Sequence, residues 1–199
     1  MIQRYTREKM GSIWEPHNRY QKWLDVEIAA CEAWAKQGEI PKKSLVVIKK
    51  RAKFSVARID KIEKTVKHDV IAFLTSVNEN VGPESRYIHK GLTSSDVLDT
   101  ALALLMREAA DIIINDIDGL LVVLKKNALK YKDTLQMGRS HGIHAEPVTF
   151  GLTFAVWYEE MKRNLTRMKA AREVISYGKL SGPVGTFSNI PPSIETQVC

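Results

Sequence analysis

The strongest constraint on the fold is a segment from Ser95 to about Lys132 in which apolar residues return every three or four positions without interruption. This spacing is the period of an amphipathic α-helix, and the predicted helix is much longer than the ~11 to 12 residues of an average globular helix. A second long helix is predicted from Pro147 past Met168 to around Tyr177. Such a pair cannot bury both of its apolar faces alone, so we expect an elongated bundle completed by more helices or subunits.

The rest of the chain also has helical periodicity, and no stretch alternates strictly between apolar and polar residues. We therefore predict an all-α protein, with an N-terminal helical domain at 1–92 and the first long helices of an elongated central helical bundle at 93–199. The last residues have the form of an N-cap and the first turn of another helix, so we expect this second domain to be truncated. The shorter helices are predicted from near Pro16 to Gln37, Lys42 to Ala52, Ser55 to Val66, and near His68 to the Gly82-Pro83 pair.

The composition is that of a chain that buries a core, since 44% of its 199 residues are hydrophobic. No apolar run reaches the ~18 to 20 residues that a membrane span needs, and charges occupy the N-terminal stretch where a secretory signal would be apolar. We therefore expect a cytoplasmic protein. The two cysteines, Cys31 and Cys199, are too few for a disulfide framework or a cysteine zinc site, and we expect both to be reduced.

The net charge of +7 comes from one segment, Lys36 to Lys67, which contains eleven Lys or Arg against three Asp or Glu. Such a segment suits a nucleic-acid footprint, a funnel for an anionic small molecule, or a solvated helix face. No aromatic residues alternate with its lysines as stacking platforms. Binding of RNA or single-stranded DNA is therefore the least favoured of these interpretations.

The stretch GRSHGIHAEP, residues 138–147, places His141 and His144 three positions apart. Metal-binding pairs with this spacing lie on helices, but Gly142 and Pro147 indicate a loop here, and no third ligand has a suitable spacing. The sequence therefore predicts no metal site. It leaves open whether His141 is an acid/base group or a structural histidine.

Three further stretches combine polar groups at predicted helix ends. Arg4 and Tyr5 offer a guanidinium beside a hydroxyl, which suits a phosphate. Lys67, His68 and Asp69 place a cation, a titratable ring and a carboxylate in succession. The third stretch, residues 93–95, offers hydroxyls and unpaired N–H groups before a long helix, with Thr93 and Asp96 in capping-box spacing. It suits an anion, and plain helix capping explains it equally well.

Taken together, GRSHGIHAEP, HKGLTSSD, KHDVIAF and the early RY resemble the N-terminal portion of the adenylosuccinate lyase family, within the fumarase/aspartase superfamily. The resemblance covers nearly the whole chain. Ser140 and the second histidine at 144 are typical of this family rather than of the argininosuccinate lyases. Two small departures, Lys67 and Lys90, concern substrate contacts, because the family commonly has a small polar residue and an aromatic residue there.

The resemblance implies an enzyme that eliminates fumarate from adenylosuccinate to give AMP, and from the succinyl-carboxamide ribotide SAICAR to give AICAR. It implies no metal, cofactor or nucleic acid in the reaction. Matched residue by residue, His141 would be the general acid and His68 its catalytic neighbour that orients the substrate. The implied substrate-binding residues are Arg4 and Tyr5 for the phosphate, Thr93 and Ser94 for a succinyl carboxylate, and Lys67, His68, Asp69 and His89 around the substrate.

The family's general base is a serine in the pattern Ser-Ser-x-Met-Pro-x-Lys-x-Asn, which these 199 residues do not contain. The resemblance also implies a homotetramer whose active sites are shared between subunits. We therefore expect this chain to have little activity alone and to self-associate through exposed apolar helix faces. The alternatives are a sister enzyme such as an argininosuccinate lyase, or a basic helical nucleic-acid-binding protein.

Overall fold

The computed structural model describes residues 2–199 as helices joined by short loops, with one small hairpin. The chain forms two compact units, and the division falls inside the longest helix. The first unit contains the chain up to Arg107 together with Ser176–Cys199, and the second contains Glu108–Ile175. The all-α fold class is confirmed. The domain division at residues 92 and 93 stays a prediction for the intact family architecture.

The helices predicted for the first unit, α2 to α5 and the start of α6, begin and end within one or two residues of the predicted positions, whereas α1 was not predicted. The unit also contains two short 3₁₀ helices, one before the first α-helix and one after the fifth. The elements are the 3₁₀ helix Gln3–Tyr5, α1 (Glu8–Ile13), α2 (Pro16–Lys36), α3 (Lys42–Arg51), α4 (Val56–Val66), α5 (Asp69–Val81), the 3₁₀ helix Gly82–Tyr87, the start of α6 (Ser94–Lys130), and α8 (Pro192–Val198).

The core of the first unit forms around α2, because α2 buries ten of its side chains, eight of them from apolar or aromatic residues between Tyr20 and Ala35 and one from Cys31. Tyr20 stacks on Phe73 of α5 at a centroid distance of 5.9 Å, and Trp23 meets the same ring edge-on at 5.5 Å. Such aromatic pairs add about 0.5–1.5 kcal/mol each beyond the area they bury. The core therefore fixes α2 and α5, the two helices next to the polar sites described below.

The second unit consists of the rest of α6, a two-stranded antiparallel hairpin and α7 (Phe150–Val174). The strands are β1 (Leu135–Ser140) and β2 (Ile143–Thr149). Arg172 near the end of α7 makes an ion pair with Asp111 of α6, which joins the two helices away from the hairpin. Large apolar side chains remain exposed on both helices: Leu120, Val122, Val123 and Leu129 of α6, and Leu152, Val156 and Trp157 of α7.

Two predictions for this unit are wrong. The stretch GRSHGIHAEP is not a loop but most of the hairpin, since Gly142 occupies its turn and Pro147 lies within β2. The second long helix begins at Phe150 and not at Pro147. Proline is compatible with β2 because a two-stranded hairpin has only edge strands, where a missing N–H is tolerated. Among the described residues, no helix has the length and apolarity that crossing a membrane requires.

Candidate active site

The start of α6 is organised around Asp96, whose side chain is completely buried. Its Oδ2 accepts the N–H of Thr93 at 2.9 Å, which is the carboxylate half of the predicted capping box. Its Oδ1 accepts the Lys179 Nζ at 2.8 Å and the Ser181 N–H at 3.1 Å. The Gly182 N–H lies 3.2 Å from both oxygens. A buried carboxylate is tolerated only when donors surround it in this way.

The same network holds the three hydroxyl residues 93–95, for which the sequence left open an anion site or plain helix capping. Thr93, Ser94 and Ser95 are half-buried at the first turn of α6. Lys179 Nζ also lies 3.4 Å from the Ser95 Oγ and donates to the Gly182 carbonyl at 2.8 Å. The helix N-terminus and the hydroxyls suit a bound carboxylate. The Lys179 ammonium supports the turn and does not bind the ligand, because its three N–H groups already face Asp96, Ser95 and Gly182.

His89 is held by a second buried carboxylate, Glu27 of α2. The Glu27 Oε1 lies 2.6 Å from the His89 Nδ1, and its Oε2 accepts the backbone N–H of His89 at 2.9 Å. The His89 backbone has φ of 64°, a left-handed conformation that is uncommon outside glycine. His89 is therefore fixed in both backbone and ring.

The junction between α4 and α5 presents Lys67, His68 and Asp69 consecutively, as predicted. Lys67 ends α4 in a left-handed conformation, with φ of 56°. His68 is the N-cap of α5, and its Nδ1 lies 3.5 Å from the Ile71 N–H, at the long limit of a hydrogen bond. The Asp69 Oδ1 accepts the Val70 N–H at 2.7 Å and lies 3.4 Å from the His68 Nδ1. The His68 and Asp69 side chains are each about half exposed, so a ligand can reach them.

Arg4 and Tyr5 lie in the first 3₁₀ helix, before α1. The Arg4 guanidinium carbon is 4.8 Å from the centre of the Tyr5 ring, a cation–π distance. Both side chains are exposed. The pair therefore offers a guanidinium and a phenol to a partner in solution, as the sequence predicted for a phosphate.

His141 lies at the tip of the hairpin formed by β1 and β2. Ser140 pairs with Ile143, so His141 and Gly142 form a two-residue turn, with φ of 51° and 75° respectively. Positive φ at both positions defines a type I′ turn, the geometry that best matches the twist of two antiparallel strands. His144 pairs with Arg139 on the opposite strand. Both histidines are exposed.

Gly138, the first residue of the GRSHG stretch, lies where the two strands approach each other too closely for a side chain to fit. The register shifts between Met137 and Arg139, where β2 carries one extra residue. A Cβ at position 138 would lie 2.4 Å from the Glu146 carbonyl oxygen, which is far inside contact distance. Only glycine allows the two strands to approach this closely, so Gly138 fixes the register that places His141 in the turn.

The structure groups the predicted residues only in part. All the predicted binding residues and His68 belong to the first unit, whereas His141 belongs to the second. Two functional candidates were missed by the sequence analysis, Glu27 and Lys179. Each meets its partner across more than sixty residues of chain, and spacing in the sequence does not reveal such contacts.

A cavity of about 280 Å³ in the first unit is lined by none of the predicted site residues. Its lining includes Asp25, Thr100, Arg107 and the C-terminal Cys199. Burial, together with the nearby carboxylates of Glu195 and Asp96, raises the pKa of Cys199 to about 11. Within residues 2–199, no group of three or more His, Cys, Asp or Glu side chains could hold a metal ion.

Comparison with known proteins gives consistent matches over the whole chain. An adenylosuccinate lyase from Aquifex aeolicus (strain VF5) is 57% identical over 198 residues, covering 98% of this chain and 45% of that protein. An adenylosuccinate lyase from Bacillus subtilis (strain 168) is 51% identical, covering 100% of this chain and 46% of that protein. The chain therefore spans about half the length of the curated relatives it matches.

Solved structures show the same fold. A fumarate lyase from Mesorhizobium sp. BNC1 has a TM-score of 0.91 at 24% identity, covering 98% of this chain and 47% of that one. A 3-carboxy-cis,cis-muconate lactonizing enzyme from Pseudomonas putida has a TM-score of 0.88 at 27% identity, with the same coverage of 98% and 47%. A family model described as Lyase matches residues 3–199, and the chain therefore belongs to this lyase family.

Proposed function

We propose that this chain is the N-terminal portion of an adenylosuccinate lyase, a carbon-nitrogen lyase of purine nucleotide biosynthesis in the cytoplasm. The enzyme would release fumarate from adenylosuccinate to give AMP and from SAICAR to give AICAR. The observation that carries the proposal is the hydroxyl turn at residues 93–95, which the buried Asp96 and Lys179 hold at a helix N-terminus. The adenylosuccinate lyases found in the comparison, at 51–57% identity, support the same assignment.

The hydroxyl turn at residues 93–95 suits proton removal, the most difficult step of the proposed reaction. Elimination removes a weakly acidic proton next to a carboxylate, so negative charge accumulates on that carboxylate before the C–N bond breaks. Fixed donors stabilise such charge without reorganising. Thr93 and Ser94 would bind the succinyl carboxylate with their hydroxyls, assisted by the N–H groups of the first turn of α6.

His141 would act as the general acid. When the C–N bond breaks, its electron pair stays on the departing nitrogen, and a proton from the imidazolium makes that nitrogen a neutral amine. Imidazole suits this role because it titrates near neutrality and can recover its proton in each cycle. The hairpin turn carries the ring at an exposed tip, where it can enter a substrate site.

The remaining predicted residues would bind and orient the nucleotide. His68, half exposed at the start of α5, would orient the substrate, with Lys67 and Asp69 lining the same region. Arg4 and Tyr5 would bind the phosphate. His89 would contact the substrate through the part of its ring that Glu27 leaves accessible. The basic segment from Lys36 to Lys67 would attract a substrate that carries a phosphate and two carboxylates.

The complete enzyme would be a homotetramer whose active sites are assembled from several subunits. The exposed apolar side chains of α6 and α7 support this part of the proposal, because exposed apolar faces of this kind mark interaction surfaces. The serine base would be supplied by chain that these 199 residues do not include. The 199-residue chain alone should therefore show self-association by light scattering and should not turn over substrate.

A substrate panel on the full-length protein tests the proposal. Fumarate release should be observed with adenylosuccinate and with SAICAR, and not with argininosuccinate. The 199-residue chain serves as the control and should release none. Release from argininosuccinate alone would assign the protein to the sister enzyme. Turnover by the 199-residue chain at the rate of the full-length protein would contradict the shared, incomplete site.

A further inference from the structure

Three side chains on one face of α2 hold the backbone of residues 87–90. They are spaced four and three apart, at positions 27, 31 and 34, so they lie on one stripe of the helix. Glu27 accepts the His89 N–H at 2.9 Å, and the Trp34 Nε1 donates to the Lys90 carbonyl at 3.0 Å. The Cys31 thiol donates to the Tyr87 carbonyl at 3.7 Å. A helix in the core thus determines the conformation of this surface segment.

Glu27 is the unusual member of the stripe, because its side chain is only 1% exposed and carries a carboxylate. Burying a carboxylate is costly unless its oxygens are hydrogen-bonded. Both oxygens meet the same residue, His89, one at the backbone N–H and one at the ring Nδ1.

The backbone around His89 is held by contacts with its surroundings. The His89 φ of 64° is a left-handed conformation. Two residues later, a Cβ at Gly91 would lie 2.4 Å from the Asn189 carbonyl oxygen, so the chain there passes directly against another segment. The segment is therefore held on both sides of the histidine. This leaves the imidazole little freedom except in which nitrogen carries its hydrogen.

We propose that Glu27 is a positioning residue that keeps the hydrogen of neutral His89 on Nδ1 and so leaves Nε2 as a hydrogen-bond acceptor for the substrate. A carboxylate accepts and does not donate, so the Nδ1 at 2.6 Å must carry the hydrogen. The ring is 22% exposed and its Nδ1 faces a buried carboxylate, so the accessible edge is the one with Nε2. The substrate group at His89 is then a donor, such as an amide N–H or a hydroxyl.

This inference rests on the proposed function only in naming the substrate as the ligand of His89; the state of the ring can be measured on this chain itself. Nitrogen-15 NMR of the histidine rings at pH 8, where an ordinary histidine is neutral, shows which nitrogen carries hydrogen. A His89→Asn variant identifies the signal. We expect a hydrogen on Nδ1 and none on Nε2, whereas a ring with hydrogen on Nε2, alone or together with Nδ1, would overturn the proposal.

Glu27→Gln gives a sharper test, because glutamine has one acceptor oxygen where glutamate has two. That oxygen is required by the His89 N–H, so the amide NH2 must face Nδ1 and donate to it. The hydrogen should therefore move to Nε2. Glu32→Gln, an exposed carboxylate on the same helix paired with Lys49, is the matched control and should leave His89 unchanged. Retention of the hydrogen on Nδ1 in Glu27→Gln would refute the positioning role.

In the full-length protein, the same change should raise KM about tenfold with a smaller change in kcat, because one oriented hydrogen bond to the substrate is lost. Glu32→Gln should keep the original KM. A fall in kcat with unchanged KM would contradict a binding contact at His89. Absence of any fumarate release by the unsubstituted full-length protein would instead defeat the proposed function, and the NMR result would stand independently of it.

Discussion

The start of α6 and the hairpin tip hold their functional residues in opposite ways. At the start of α6, the hydroxyl turn is fixed by a completely buried carboxylate whose donors come from residues 179–182, more than eighty positions along the chain. At the hairpin tip, His141 is placed by a two-residue turn and a register that local backbone geometry sets. Within residues 108–175, nothing hydrogen-bonds the His141 ring.

Under the proposed function, this difference separates substrate binding from proton transfer. A site that binds a substrate carboxylate gains from donors fixed before the substrate arrives, and the cost of ordering them is met by folding. The hairpin fixes only where the backbone of His141 lies. We therefore expect the His141 ring to take its orientation from the substrate or from residues of the complete enzyme. The first region should be sensitive to loss of long-range contacts and the second to changes in local turn geometry.

Asp96→Asn should have the largest effect on stability, since it leaves Lys179 without its carboxylate and replaces an acceptor of several N–H groups by an amide. We expect a loss of about 3 kcal/mol in the free energy of unfolding, measured by urea denaturation of the 199-residue chain. Asp99→Asn, an exposed carboxylate one turn along the same helix, is the control and should change stability by less than about 0.5 kcal/mol. Equal effects of the two substitutions would show that the buried network does not hold the turn.

Gly138→Ala should have the second largest effect and should destabilise the hairpin. The new Cβ meets the Glu146 carbonyl oxygen and not a flexible side chain. We expect about 2 kcal/mol less protection of the hairpin amides in hydrogen exchange, the usual cost of forcing an extra carbon into a tight site. Gly119→Ala, in the α6 part of the same unit, meets no atom within 4 Å and should be neutral or stabilising. Unchanged protection in Gly138→Ala would contradict the register described here.

The smallest expected effect is on the pH dependence of the unfolding free energy. It concerns Cys31, which belongs to the α2 stripe that holds residues 87–90. Burial first, and then the charges of Glu27 and Glu32, raise the pKa of Cys31 from 9.0 to about 12. A raised folded-state pKa favours the protonated folded chain, so this stability is fully present below pH 9 and is lost between pH 9 and 12. Unfolding free energy should fall from pH 8 to pH 10 by about 1 kcal/mol more than in a Cys31→Ala chain. Identical pH profiles would show that Cys31 is not held as a buried thiol.

The sequence predicted the helices well because their signals are local. Apolar spacing and the Thr93–Asp96 capping pattern located α2 to α6 within a few residues, and the structure contains the capping contact. The sequence does not predict the hairpin, because Gly142 and Pro147 indicate a loop. The signal that identifies it is a two-residue His-Gly turn between two short segments, since glycine at the second position favours a type I′ turn.

The contacts that fix the candidate site could not be predicted. Glu27 has the same helical spacing as the apolar core residues of α2, and Lys179 lies in a loop that resembles any other Gly/Ser-rich connection. Their partners are His89 and Asp96, which folding alone brings near. Motifs in the sequence thus name the candidate residues for the chemistry, whereas the residues that position them emerge only from the packing.

The most direct test of the account compares His141→Asn with His144→Asn in the full-length protein, with fumarate release from adenylosuccinate as the measurement. Asparagine followed by glycine is the preferred type I′ turn, so the first substitution removes the imidazole and keeps the hairpin. We predict a loss on the order of 10²- to 10⁴-fold in kcat for His141→Asn, the usual contribution of a general acid, and a much smaller loss for His144→Asn. Full activity of His141→Asn would contradict the assignment of the acid to the hairpin tip and would make His68 the next candidate.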